Sequence, residues 1–219
     1  QPLSVISTIS SSLKIKREMN MLDDKEFYEA LQSINRTSQH LSNTIDDFRN
    51  FFSPNKEMNK FYVSQLIKKS KDLIKSRFDK FNIKVIENID DIEILSYQNE
   101  LFQVILNLFS NSIDVLSSSQ IENKIIYIKI YHDENNLYIE FLDNGGGIKD
   151  EFINRVFEPY FTTKHKSQGT GIGLYMSLQI VTKHLNGEIS VKNDTFIENN
   201  IAYFGAKFTI LLPIHPKNS

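Results

Sequence analysis

Cysteine is absent from this chain of 219 residues, so neither a disulfide framework nor a thiolate metal centre can be built from it, and the composition fits a reducing compartment. No charge of one sign dominates either. The formal balance is −2, which excludes a strong overall field drawing the chain to nucleic acid or to an anionic membrane. Long apolar runs are missing: the longest, LFQVILNLF, is far too short and too polar to span a bilayer. The N-terminus does not show the basic, apolar and cleavage regions of a signal peptide in order. There is no internal repeat and no low-complexity tract. What remains is a soluble, cytoplasmic piece with 40% hydrophobic and 24% charged residues, enough to bury a core in one large or two small domains, whatever anchors a longer parent.

Glycine is also scarce. Of 8 in the chain, none falls in the first sixty residues and six fall between Gly145 and Gly173. Glycine loses more conformational freedom on folding than any other residue, so two such clusters imply close approach to bare backbone.

The glycine-free start reads as helix. Apolar residues recur at Phe27, Leu31, Ile34, Leu41, Ile45, Phe48 and Phe52, a seam of nearly four heptads that only Ser38 interrupts. Residues 3–21 form a preceding helix through Leu3, Ile6 and Leu13. MLDDKEF is the turn, Asp23 or Asp24 the N-cap of the second helix, and Ser53–Pro54–Asn55 its end. A two-helix hairpin with so much apolar edge cannot bury itself alone, and homodimerisation into a four-helix bundle is the simplest solution.

From about residue 60 the pattern is mixed. KFYV, IKVIENI and IEILSY read as strands, with an amphipathic helix SQLIKKSKDLIKSRF after the first. NELFQVILNLFSNSIDVLSSS is a second helix, and KIIYIKIYHD and NLYIEFLD alternate as a hairpin joined near ENN. GIGLYMSLQIVTKHLN is a third helix, ended by Gly187, before the strands GEISVKN and AYFGAKFTILLP. The expected fold is α+β: a helical hairpin over 1–55, then over 60–219 an α/β sandwich with a mixed sheet and helices on one face.

Three stretches carry chemistry. Asn107 and Asn111 are four apart and share a helix face; amide carbonyls can present neutral oxygen to a hard cation, although a solvated polar stripe reads the same way. Asp143 closes a strand before Asn144-Gly145-Gly146-Gly147. A carboxylate there can accept from an exocyclic amine such as adenine's, and small residues let a flat ring lie on the backbone. An ordinary glycine-rich turn is the plain alternative. GTGIGL, residues 169–174, opens a helix whose exposed N–H groups suit phosphate. A dinucleotide-binding unit competes for that motif, but it would need the glycines directly after a first strand. Here loop-like sequence including FEPYFTTKHKSQ stands upstream. A nucleotide-covering lid is the better reading, with Thr162, Thr163, Lys164 and Lys166 near phosphates and His165 at a solvated tip.

In this order the motifs resemble the ATP-binding domain of two-component sensor histidine kinases, within the wider gyrase, chaperone and histidine-kinase ATPase group. Asn107 and Asn111 match the N box and Asp143, Gly145 and Gly147, followed by Ile148, the first glycine box. Phe157 and Phe161 match the F box, with Gly169, Thr170, Gly171, Ile172, Gly173 and Leu174 as the second glycine box. The resemblance implies ATP and Mg²⁺ as cofactors, Asn111 as the metal ligand and Asp143 as the adenine reader. It implies a phosphoacceptor histidine and, after it, a response-regulator receiver domain as partner, with no nucleic acid and no membrane contact by this piece.

Where gyrase-like relatives carry a glutamate as base for water, this chain has Asn107. An amide takes up no proton near neutral pH, so transfer to a protein acceptor is favoured over hydrolysis. Asp114 departs from the lysine of many relatives. The opening QPLSVISTIS resembles the tail of a His-Gln-Trp-Arg-Gln-Pro-Leu motif, which places the acceptor histidine before Gln1. His40, His132, His184 and His215 are read as structural rather than acceptors. Two competitors stay open: a nucleotide-binding switch or scaffold without turnover, and a serine kinase of the anti-sigma type, which the N-terminal hairpin disfavours.

Overall fold

A computed structural model describes residues 2–51, 57–163 and 171–214, the side chains of 2, 40, 41 and 43–51 excepted. Leu41, Ile45, Phe48 and Phe52, the predicted helix end at Pro54, and His40 and His215 therefore lie outside the described side chains or residues.

The hairpin is α1 (Pro2–Glu18) and α2 (Asp24–Phe51). Helix α1 stops sooner than its apolar pattern, because Asn20 takes a left-handed φ of 53°. Its N–H donates to the Arg17 carbonyl at 3.1 Å and that of Met21 to Lys16 at 2.9 Å, a Schellman closure. Lys16 pairs with Glu26 across the turn. Phe27 and Leu31 on the seam are 38% and 42% exposed, and Ile15 is 55% exposed, so the hairpin leaves much of its apolar edge uncovered.

The larger unit begins with β1 (Asn59–Tyr62), which pairs antiparallel with β3 (Glu93–Ser96) in a two-stranded sheet of its own. Helix α3 (Val63–Phe81) lies between β1 and β2 (Ile83–Ile89) and ends at left-handed Asn82. Helix α4 (Gln98–Ser118) follows β3. Strands β4 (Lys124–His132) and β5 (Asn136–Asp143) form a hairpin whose turn is tied by the Asp133 carboxylate, which accepts from the Asn135 and Asn136 N–H groups at 2.8 and 2.7 Å. After α5 (Asp150–Ile153) come α6 (Gly173–Gln179), one π-helical turn (Ile180–His184), β6 (Glu188–Glu198) and β7 (Ile201–Pro213).

The main sheet runs β2-β4-β5-β7-β6, with β2 parallel to β4 and every other pair antiparallel. This is the expected mixed sheet. Its core is the period-2 face: Ile126, Ile128 and Ile130 on β4, Ile139 and Phe141 on β5, and Phe208, Ile210 and Leu212 on β7, all buried. Against them pack Leu101, Ile105, Leu108, Phe109 and Ile113 of α4, with Phe109 edge-on to Phe141 at 5.0 Å. The opposite face carries the stacked rings of Tyr127, Phe196 and Tyr203. It also carries an ion network in which Lys207 reaches Glu140 at 2.9 Å and Asp194 at 3.4 Å. Among the described residues no helix is long and apolar enough to cross a membrane.

Several boundaries move from their sequence reading. Val63 opens α3 rather than closing β1, and β6 runs on past Asn193 to Glu198. The predicted helix over GIGLYMSLQIVTKHLN is α for seven residues and then π for five, with the Leu185 N–H donating to Ile180 O at 3.0 Å. Asn186 at φ 53°, not Gly187, supplies the left-handed step that ends it. Gly187 is needed for another reason: a Cβ there would overlap the Leu211 carbonyl oxygen.

Candidate functional site

Helix α4 is where the separate motifs meet. The Asn107 Nδ2 donates to Ser177 Oγ on α6 at 2.7 Å, and Gly173, at the start of α6, lies so close that a Cβ there would meet Asn107 Cγ at 3.1 Å. One turn on, Ser112 Oγ donates to the Asp143 carboxylate at 3.3 Å. Gly145 packs against Val115 of the same helix, where a Cβ would leave it no room. Helix α4 therefore touches the second glycine cluster at one end and the first at the other. Asn111 stands between those two contacts, and its amide Nδ2 is buried without a hydrogen-bond partner.

Asp143 is the last residue of β5 and only 3% exposed. Its Oδ1 accepts the Gly145 N–H at 2.9 Å. Burial pushes its carboxyl above the usual carboxylate range, partly opposed by donation from Gly145, Ser112 and the Ala206 backbone. In the folded chain it thus holds its proton to higher pH than in the unfolded one. Its contribution to stability is present at low pH and lost as pH rises through the folded value. A ligand amine bonds more strongly to the ionised form than to the protonated carboxyl, so nucleotide affinity should move the opposite way. We expect adenine-nucleotide affinity to weaken as pH falls through the raised range of this carboxyl, the direction set by its burial. Calorimetric titration checks this. Asp143→Asn removes the carboxyl and so should flatten that part of the slope which the nucleotide's own phosphate does not supply.

Two asparagines clamp the first glycine loop. Asn144, 5% exposed, accepts the Ile125 N–H on Oδ1 at 2.8 Å and donates from Nδ2 to the Asn123 carbonyl at 2.6 Å. At the far end Asn193 of β6 grips Ile148, accepting its N–H at 2.8 Å and donating to its carbonyl at 2.7 Å. Between the clamps Gly146 and Gly147 take φ of 89° and 80°, a region that side chains strain to occupy.

The F box closes on the second glycine cluster. Phe157 is edge-on to Phe208 of β7 at 6.4 Å, and Phe161 packs on Phe152 at 5.5 Å beneath the Arg155 guanidinium at 4.7 Å. Tyr160 donates its N–H to the Gly171 carbonyl at 2.9 Å, with both residues at positive φ. A Cβ on Gly171 would come within 2.8 Å of the Phe161 nitrogen, so only glycine fits there. Ile172 accepts the Met176 N–H at 2.8 Å in the first turn of α6, and Leu174 is half-buried on that helix. Thr162 and Thr163 fall outside the compact unit that carries the rest. Lys164, His165, Lys166, Gly169 and Thr170 lie outside the described residues.

Asp114 does not stand free as a misplaced phosphate ligand. It pairs with Arg77 of α3 at 2.8 Å, and Arg77 also donates to Ser110 at 3.0 Å. Sequence reading missed Ser112, Asn144, Ser177, Asn193 and Gly205. Asn193 had a legible signal: it breaks the inward apolar alternation Ile189, Val191 on β6.

Fold and site together define the α+β sandwich of an ATP-binding domain. Residues 96–216 match the family described as Histidine kinase-, DNA gyrase B-, and HSP90-like ATPase, and the chain belongs to it. The ATP-binding domain is of the sensor-histidine-kinase kind. Sporulation kinase E of Bacillus subtilis (strain 168) is 32% identical over 155 residues, which is 70% of this chain and 19% of that protein. The chain thus spans about a fifth of that curated relative's length. The catalytic domain of histidine kinase ThkA superposes with a TM-score of 0.60 at 26% identity, over 72% of this chain and 96% of that one. ThkA in complex with response regulator TrrA superposes on the whole chain with a TM-score of 0.71 at 22% identity, covering 59% of that chain, a likeness of fold.

Proposed function

We propose that this chain is the ATP-binding catalytic part of a sensor histidine kinase, passing the γ-phosphoryl group of Mg²⁺-ATP to a histidine, from which a response-regulator aspartate receives it. The observation that carries the reading is the buried Asp143 carboxylate at the end of a strand, next to left-handed glycines and hydrogen-bonded to Ser112 of α4. In this reading the adenine amine donates to Asp143, the flat ring lies along Gly145 and Gly147, and Ile148 flanks it. The phosphates lie toward Gly171 and Gly173 at the start of α6.

The Asn111 amide fits a role toward Mg²⁺. It is half-buried with one end unpartnered, and a half-turn of the amide exchanges its oxygen and nitrogen. Asn111 would hold the ion through a neutral oxygen, and the ion when bound neutralises charge on the β- and γ-phosphate oxygens. The Asn107 amide neither ionises nor takes up a proton near neutral pH, and its hydrogen bond to Ser177 ties it to α6. That favours phosphoryl transfer to a positioned side chain over activation of water. The apolar edge of α1 and α2 supports a homodimer through residues 1–55, with 60–219 as the catalytic domain.

Calorimetric titration of ATP with and without Mg²⁺ tests this. Wild type should bind ATP, with Mg²⁺ adding affinity. Asn111→Ala should lose about tenfold, confined to the Mg²⁺-dependent part, as expected for one charge-assisted ligand. No ATP binding by wild type would defeat the nucleotide reading, and unchanged Mg²⁺ dependence in the variant would remove Asn111 from the metal.

A further inference from the structure

We infer that Asn193 is a positioning residue for the nucleotide site, holding the first glycine loop in its binding form from a neighbouring strand. This rests on the nucleotide reading above. Strand β6 pairs with β7 so that Ile189, Val191 and Asn193 stand opposite Ile210, Phe208 and Ala206, all on the face that meets the helices. A polar side chain on such a face is unfavourable unless both its ends are bonded. Here both are, and by a single residue: the Ile148 N–H and carbonyl, 45 positions upstream, meet the Asn193 Oδ1 and Nδ2 at 2.8 and 2.7 Å.

The chemistry is selective. An aspartate would keep the acceptor but turn a second oxygen toward the Ile148 carbonyl. A leucine of similar shape would leave both backbone groups unbonded. The loop is also shaped to the clamp, since a Cβ on Gly147 would sit 2.6 Å from Asn193 Oδ1 and 3.1 Å from the Phe204 ring. Gly147 is therefore glycine on account of Asn193 as well as its φ of 80°.

The loop has its other clamp at Asn144, and between the two clamps stand three glycines with no side chains to hold them. Glycine is the residue with most freedom to lose. Released at Ile148, the loop would have to be ordered by the nucleotide itself, and affinity would fall by that amount. Asn193 thus acts through Ile148 and Gly147, with no requirement that it touch the ligand.

The test uses Mg²⁺-ADP as probe, with calorimetric affinities for wild type, Asn193→Ala, Asn193→Asp and, as a control on the opposite face of β6, Ser190→Ala. Amide exchange at Ile148 is followed by NMR in nucleotide-free wild type. Both Asn193 variants should bind about tenfold more weakly while Ser190→Ala matches wild type, the size expected for two lost hydrogen bonds offset by water. The Ile148 amide should exchange slowly before any ligand is added. Equal affinity in wild type and a folded Asn193→Ala would overturn the assignment, and so would an Ile148 amide exchanging at the rate of open peptide. If neither variant folds, the wild-type exchange rate decides. Failure of wild type itself to bind Mg²⁺-ADP would defeat the nucleotide reading and this inference with it, a loss seen without any substitution.

Discussion

Gly205→Ala is expected to destabilise the catalytic domain by about 3 kcal/mol, the upper range for forcing atoms into packed structure. For a chain of this size that lowers the thermal midpoint by roughly 6–12 °C. A Cβ at this position would overlap the Asp143 carbonyl oxygen and lie 2.7 Å from its carbon and 3.1 Å from Asn144 Cα. These are backbone atoms, with no flexible side chain to swing aside. Strand β5 cannot retreat, because β4 and β7 hold it on both edges. The sheet must open locally or β7 must shift, and either movement displaces the carboxylate proposed to read adenine. Nucleotide binding should therefore fall with stability. Circular dichroism melting and calorimetric titration of the same preparation check both. A variant that melts with wild type would show that β7 has slack beside Asp143 and that Gly205 is not required.

For Asp143→Asn the two measurements should separate. Affinity for adenine nucleotide should fall about 10- to 100-fold, the loss expected when a charged acceptor is removed from a hydrogen bond. Stability should hold or rise at neutral pH. Burial disfavours the charged form of this carboxyl, and the amide cannot charge while it keeps an acceptor for the Gly145 N–H. Affinity equal to wild type would end the adenine assignment. A large drop in the melting midpoint would show instead that the carboxylate's bonds to Ser112, Gly145 and Ala206 hold the sheet together.

The parts of the fold that were legible in sequence are those where a local pattern repeats. The inward row Ile126, Ile128, Ile130 gave away β4, and the apolar face of α4 its helix, because burial on one side imposes a period. Asp143 was singled out because a carboxylate closes an apolar run before three glycines, a pattern that an ordinary turn also makes, and the order of the motifs along the chain favoured the nucleotide reading. What escaped was either too short or too distant. Helix α5 has four residues, less than any period can show. The π turn displaces the register by one bond without changing composition. Asn193 and Gly205 matter only through partners that topology brings beside them, Ile148 and Asp143, and no spacing rule joins positions so far apart. Asn186 stands where glycine was expected to end a helix, since asparagine also tolerates left-handed backbone.

The clamps on the glycine loop are amides, and neutral groups neither titrate in the ordinary range nor gather counterions. The ion network of Lys207, Glu140 and Asp194 on the far side of the sheet will loosen as ionic strength rises, most where it is exposed. The grip of Asn144 and Asn193 on the main chain will not. In concentrated electrolyte the cradle keeps its shape, and salt acts on the nucleotide's own charges and on whatever cations meet them.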